Sequence, residues 1–277
     1  MKKIISTLTI LTLIALYFGC TQGEKKIMLS YKYDPGTILT YEQNSHRTTK
    51  VIEADSVVED YKSSYNINIE QEVIEFENNV GQIKETSSWT HEMKNPDDST
   101  KIDTVKTTRE LDFFVQTNGK IVDIQFPPDR DNSYTTYIKN YFEQGMPQFP
   151  SYEITVDYSW TQTTRVVLPD ETMEASTNYK IKSLVRERGY DCAVIEYEGN
   201  LLIPIVKNPK DSTQKQGLDK IQSTGMIYFA HKEGFIVLQR EKMVIDGYRE
   251  MNKKGEIKKY QLAIEADTDF ALKKVEK

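Results

Sequence analysis

Histidine and cysteine, the side chains that most often carry catalysis or hold metals, are scarce here: three and two in 277 residues. His46, His91 and His231 each stand alone, with no second ligand at metal-binding spacing and no local nucleophile, which argues against a zinc site or a catalytic triad. The 13 glycines are scattered at turns, so there is no loop to cradle a phosphate and no cofactor is implied. Basic runs stop at lysine pairs, too little positive charge for a nucleic-acid partner, whose affinity rests on neutralising phosphates. Asp129, Asp131 and Ser133 begin like a calcium loop, but Tyr134 and Asn140 occupy the places that need Gly and Glu. The 42 acidic residues leave room for a glycosidase-type carboxylate pair, yet no two are marked out by position. No catalytic residue and no metal ligand is therefore assigned.

The one long apolar run comes first. Lys2 and Lys3 precede Ile4–Phe18, which is almost wholly apolar, and Gly19 and Cys20 close it. This is the layout of a secretory signal peptide, and it is shorter than the ~20 apolar residues of a membrane-spanning helix. Removing Lys2 and Lys3 from the 36 basic residues leaves 34 against 42 acids, a net charge of −8. An acidic chain is not drawn to an anionic membrane surface by charge, so any membrane attachment needs a lipid. Cys192, in the apolar run Cys192-Ala193-Val194-Ile195, reads as a core cysteine.

The rest of the chain is punctuated like a β protein. Leu29, Tyr31 and Tyr33 alternate with polar residues as in a half-buried strand, and Asp34-Pro35-Gly36 is a turn. A long strand from Thr37, a hairpin from Tyr61 to Met93 turning at Asn78–Gly81, and a second hairpin turning at Asn118-Gly119 follow. Asn-Gly predicts a type I′ turn, with φ positive at both residues. One helix is predicted: Tyr134, Tyr137, Ile138, Tyr141 and Phe142 form an apolar stripe, Asn132 or Ser133 caps it, and Gly145 is placed as its left-handed terminator before Pro147. Beyond it the pattern echoes itself. Leu111–Phe114 before Asn118–Val122 is answered by Met226–Phe229 before Glu233–Val237, and Asn95-Pro96-Asp97-Asp98 by Asn208-Pro209-Lys210-Asp211. The expected fold is mainly β: a duplicated antiparallel meander forming curved, half-barrel-like sheets, with one helix between the repeats. The expected divisions are a signal peptide at 1–19, a lipidated tether at 20–27, β repeat 1 at 28–130, the connecting helix at 131–147 and β repeat 2 at 148–277. The pattern leaves open whether the repeats share a sheet.

Three stretches carry a family likeness. The small residue Gly19 directly before Cys20 resembles the lipobox of bacterial lipoproteins, in which that cysteine is lipidated and becomes the first residue. Leu29–Tyr41, and Phe149–Glu198 with Pro150, Val156, Ser159-Trp160 and Cys192–Glu196, are similar to a bacterial lipoprotein family of unknown function with a lipoprotein-carrier-like antiparallel β fold. The resemblance implies a chain anchored in a membrane through the Cys20 lipid. Thr21, which is not the aspartate of inner-membrane retention, implies the outer membrane facing the periplasm. The expected function is non-enzymatic: holding a hydrophobic or lipid-like small molecule on the concave β face, with Trp89, Phe113, Trp160 and Phe229 as its pocket. The alternatives are a structural or envelope-assembly protein working through contacts with an envelope protein, and a hydrolase with an unrecognised site.

Overall fold

The computed structural model describes residues 25–94, 102–128, 132–167, 172–205, 214–253 and 256–277. Cys20 with the signal peptide, both Asn-Pro breaks, and Asp129 and Asp131 lie outside them, and the side chains at the helix start, Asn132 and Ser133, are likewise outside the description.

A single antiparallel sheet of eleven strands makes up most of the described chain: β1 Ile38–Glu53, β2 Ser56–Glu77, β3 Val80–Lys94, β4 Ile102–Gln116, β5 Ile121–Gln125, β6 Ser159–Val167, β7 Thr172–Glu187, β8 Tyr190–Ile205, β9 Gln214–Ala230, β10 Phe235–Lys253 and β11 Glu256–Glu276. The helix α1, Asn132–Gly145, falls between β5 and β6. The spatial order is β5-β4-β3-β2-β1-β11-β10-β9-β8-β7-β6. The chain thus meanders outward from the centre to one edge, crosses through α1, and meanders back from the opposite edge. The one pairing that is not sequential, β1 with β11, joins the two meanders along Ile38–Ile52 and Gln261–Glu276. The sheet is open and strongly curved, not a closed barrel.

Tight turns explain the long hairpins. Asn78-Asn79 and Arg188-Gly189 have positive φ at both residues, as a two-residue turn between twisted strands requires. Ala54-Asp55 does the same between β1 and β2, although neither residue announces it. The Asn118-Gly119 turn differs from the expected type I′: only Gly119 has positive φ (92°). The Gly119 N–H bonds to the Gln116 carbonyl and the Gln116 N–H to the Lys120 carbonyl, a type I turn closed by a bulge. That shape leaves the Asn118 carbonyl free to accept the Phe149 N–H at 2.7 Å, and it tucks Gly119 against Pro147 with no room for a side chain.

Two further expectations are corrected. Leu29, Tyr31 and Tyr33 do point one way and are buried, but they are not a strand of the sheet. They thread across one end of it, bridging at Ile27–Ile154 and bonding from Tyr31 to Thr117 and from Lys32 to Gly234. Gly145 is the last helical residue and not a left-handed terminator, because the Met146 N–H still reaches back to the Phe142 carbonyl at 3.0 Å.

The main core sits under this threaded segment. Tyr31 stacks on Phe149 (5.1 Å) and meets Phe229 edge-on (5.2 Å), while Phe113, Ile83, Ile181, Ile195 and Ile227 close around them. One end of the curved sheet is thereby plugged with aromatic and aliphatic side chains. Side chains of that size each contribute about 1.5–3 kcal/mol on full burial, so this plug anchors the fold.

Candidate functional site

Period-two alternation fixes which side chains face the concave side, and α1 lies within that concavity. Phe142 meets Phe113 of β4 edge-on at 4.8 Å, and Tyr137 and Tyr141 pack on Leu201, Ile203, Ile221, Met243 and Ile245 of β8–β10. The far end of the helix is stitched to β8. Pairing between β7 and β8 stops at Asn200, and the Gln144 side chain takes the place of the missing strand, accepting the Leu202 N–H and donating to its carbonyl, both at 2.8 Å. The near end is held by a buried ion pair. Arg249 contacts both carboxylate oxygens of Asp219, at 2.6 and 2.9 Å, and the Tyr137 hydroxyl donates to Asp219 at 3.5 Å.

The inner wall between these fixed points is not uniformly apolar. Glu85 is only 2% exposed; it is paired with Arg109 at 2.8 Å and accepts from Gln71 at 2.9 Å. The Thr268 hydroxyl donates to Ser45 at 3.0 Å. Glu241 accepts hydrogen bonds from Tyr197 and Ser223, and burial pushes its carboxyl up to about 7. These groups form a polar belt across the concave face, satisfied largely within itself, as buried polar groups must be. Glu241 is set deep, yet part of its surface still reaches the hollow.

Beside the belt the wall is open. Ile67, Trp89, Phe270, Ile264 and Leu262 are half-exposed on inward positions of β2, β3 and β11. Phe270 stacks on Tyr41 at 4.4 Å, Ile67 packs beside it on the Tyr41–Ile69–Leu272 cluster, and Ile264 packs with Tyr137 and Tyr141 on the cluster around Met243. Arg47 projects into the same space with its guanidinium 4.5 Å from the Tyr65 ring, and His91 stacks on Tyr65 at 4.0 Å. Burial, then the Arg47 charge, lowers the His91 imidazole below its ordinary range and keeps it neutral near pH 7. The open rim carries exposed apolar residues at strand ends, among them Val57, Val105 and Ile257.

The four side chains expected to line a pocket separate. Phe113 (5% exposed) and Phe229 (0%) are packed solid in the plugged end. Trp160 flanks that core, stacked on Tyr179 at 5.1 Å with its Nε1–H on the Gln148 carbonyl. Trp89 alone stands on the open wall, with the Arg109 guanidinium 5.8 Å from its ring. Sequence reasoning missed Arg47, Glu85 and Glu241, and only the strand register, which faces each of them inward, singles them out. Cys192 is a free, fully buried thiol, pushed by burial up to about 11.

No family model matches the chain, and no curated protein does. Solved structures do. The structure of lipovitellin solved for its lipid–protein interactions matches over 88% of this chain and 26% of its own, at 11% identity and a TM-score of 0.48. The chain therefore spans about a quarter of that protein's length. A Bacteroides fragilis protein of YmcC-like fold, assigned to the exported proteins, matches over 90% of this chain and 99% of its own, at 11% identity and a TM-score of 0.28. An outer membrane channel from Pseudomonas putida matches over 87% and 97%, at 7% identity and a TM-score of 0.23.

A shallow depression of about 340 Å³ opens on β6–β8, lined by Trp160, Tyr179 and Tyr197 together with Ser159, Thr161, Asn178, Lys180, Glu196 and Glu198, so Trp160, one of the four expected pocket residues, borders it. Its lining mixes these aromatic rings with polar and charged side chains. Among the described residues no group of three His, Cys, Asp or Glu side chains is placed to hold a metal ion, and no helix is long and apolar enough to cross a membrane.

Proposed function

We propose that this chain is an exported envelope protein, tethered through a lipid on Cys20, that binds a hydrophobic or lipid-like ligand non-enzymatically in the hollow of its curved sheet. The observation that carries the reading is the wall of half-exposed inward residues, Ile67, Trp89, Phe270, Ile264 and Leu262, beside a plugged end. A concave, mostly apolar site with a few placed polar groups is the usual form of a small-molecule site. Native mass spectrometry of the chain purified from its own envelope tests it. A lipid that survives desalting, and is lost when Trp89 is changed to Glu, supports the reading; a bare chain that takes up no lipid from mixed vesicles counts against it. The anchor has its own test. Cys20→Ala is expected to move the chain from the membrane fraction to the soluble one, and a variant that stays with the membrane overturns the lipid tether.

A second reading is favoured by the rim. Val57, Val105 and Ile257 are each about half exposed at strand ends around the open side of the hollow. Apolar residues left exposed along one end of the sheet offer a contact surface, and a protein docking there would seal the hollow. Crosslinking from Ile257→Cys in intact cells distinguishes a specific partner from none.

A further inference from the structure

Among the described residues, one cation in the wall of the hollow has no carboxylate paired with it. Arg109 is paired with Glu85 and Arg249 with Asp219, whereas among the described residues Arg47 has neither a carboxylate nor a hydrogen-bond acceptor. Its Nε is buried and unpartnered, its guanidinium lies over the face of Tyr65, and its charge is felt by Tyr137 and Tyr141 of α1. On the other strand beside Tyr65, the His91 Nε2 is also buried without a partner. Two nitrogen atoms buried with their hydrogen bonds unmade, one of them on a permanent cation, are costly to keep unless something completes them. A guanidinium presents a fork of N–H donors that fits a carboxylate or a phosphate with two parallel bonds. Ile67 lies on the same strand as Tyr65, Trp89 on the same strand as His91, and Ile264 two positions from Ala266, which pairs with Arg47. Aliphatic and aromatic surface thus begins where the cation ends.

Resting on the hollow as a ligand site, we propose that its ligand is an anionic amphiphile: a carboxylate or phosphate head held by Arg47, with the His91 imidazole as second partner, and an apolar tail laid along Ile67, Trp89 and Ile264. Tyr65 holds the guanidinium in place by stacking beneath it.

The test uses the full chain and two probes with the same tail, 12-bromododecanoic acid and 12-bromododecanol, whose bromine quenches nearby tryptophan. The chain has only Trp89 and Trp160, and Trp89 faces the hollow. The acid is expected to quench at tenfold or more lower concentration than the alcohol. Arg47→Met is expected to bring the two curves within about twofold while leaving the alcohol curve in place, and Arg47→Lys to keep part of the preference. Thermal melts accompany the titrations; removal of an unpaired cation is expected to leave the melting temperature unchanged or raise it. Preference for the acid that survives in a folded Arg47→Met overturns the assignment of the head group. Equal binding of both probes by the unaltered chain overturns it too, while sparing the apolar site. Quenching by neither overturns the ligand reading beneath it. Inorganic phosphate that displaces the acid at equal concentration assigns the cluster to a free anion and overturns the amphiphile.

Discussion

Glu241 offers a quantitative check on the interior of the hollow. It faces inward from β10, in register with Thr268 on β11 and Gly225 on β9. Burial raises its carboxyl from an ordinary 4.5 to about 7, and hydrogen bonds from Tyr197 and Ser223 only partly oppose the rise. The folded protein therefore keeps a proton that the unfolded chain gives up, and stability falls as pH climbs from about 4.5 to about 7, then levels off. The full difference corresponds to roughly 3 kcal/mol at 1.36 kcal/mol per pH unit, a ceiling because Glu241 retains some contact with water in the hollow. Glu241→Gln removes the ionisation and keeps an oxygen for both hydroxyls. Urea unfolding of both proteins at pH 5 and pH 8 isolates the effect, since every other titrating group cancels in the difference. The variant is expected to be the more stable at pH 8, by up to about 3 kcal/mol, with the advantage shrinking towards pH 5. A difference independent of pH, or a variant less stable at pH 8, refutes the reasoning: Glu241 is then held as a carboxylate by a cation on the concave face.

Glu241 also shows what the sequence could and could not display. Strand after strand was legible because its turn residues and period-two pattern are local properties, as was α1, whose aromatic stripe has the helical period. The curvature followed from the length of the strands. The strand order was not legible, because pairing β1 with β11 joins residues more than two hundred apart, and alternation reports two faces without saying which neighbour completes them. Leu29, Tyr31 and Tyr33 look like a strand for the same reason: an extended plug and a sheet strand bury every second residue alike. The polar belt was hidden more deeply. In Arg240-Glu241-Lys242 and in His46-Arg47-Thr48 the neighbours are as polar as the residue that turns inward, so no hydrophobic contrast marks its direction. Of the four aromatic residues expected around a ligand, composition could identify large apolar side chains, but only the register separates Trp89 on the open wall from Phe113 and Phe229 in the plug.

Three further outcomes follow from contacts around the hollow. Gln144→Ala removes the side chain that completes β8 and leaves the Leu202 N–H and carbonyl unpaired, a loss of roughly 3 kcal/mol in urea unfolding; a loss below 1 kcal/mol would show that water or β7 replaces it. Arg109→Ala strands the buried Glu85 carboxylate at a cost of about 3–5 kcal/mol, and adding Glu85→Gln is expected to recover much of it, read as a double-mutant cycle. Gly225→Ala tests the belt through its backbone. A methyl there would lie 2.3 Å from the Arg240 carbonyl oxygen and 2.7 Å from the Tyr197 hydroxyl, and the main chain cannot yield as a flexible side chain would. The expected cost is about 1–3 kcal/mol. Because the displaced hydroxyl is one that holds the Glu241 carboxyl down, the pH at which stability levels off should also move above about 7. A destabilised variant whose pH profile keeps its original shape would mean that Tyr197 packs against Glu241 without bonding to it.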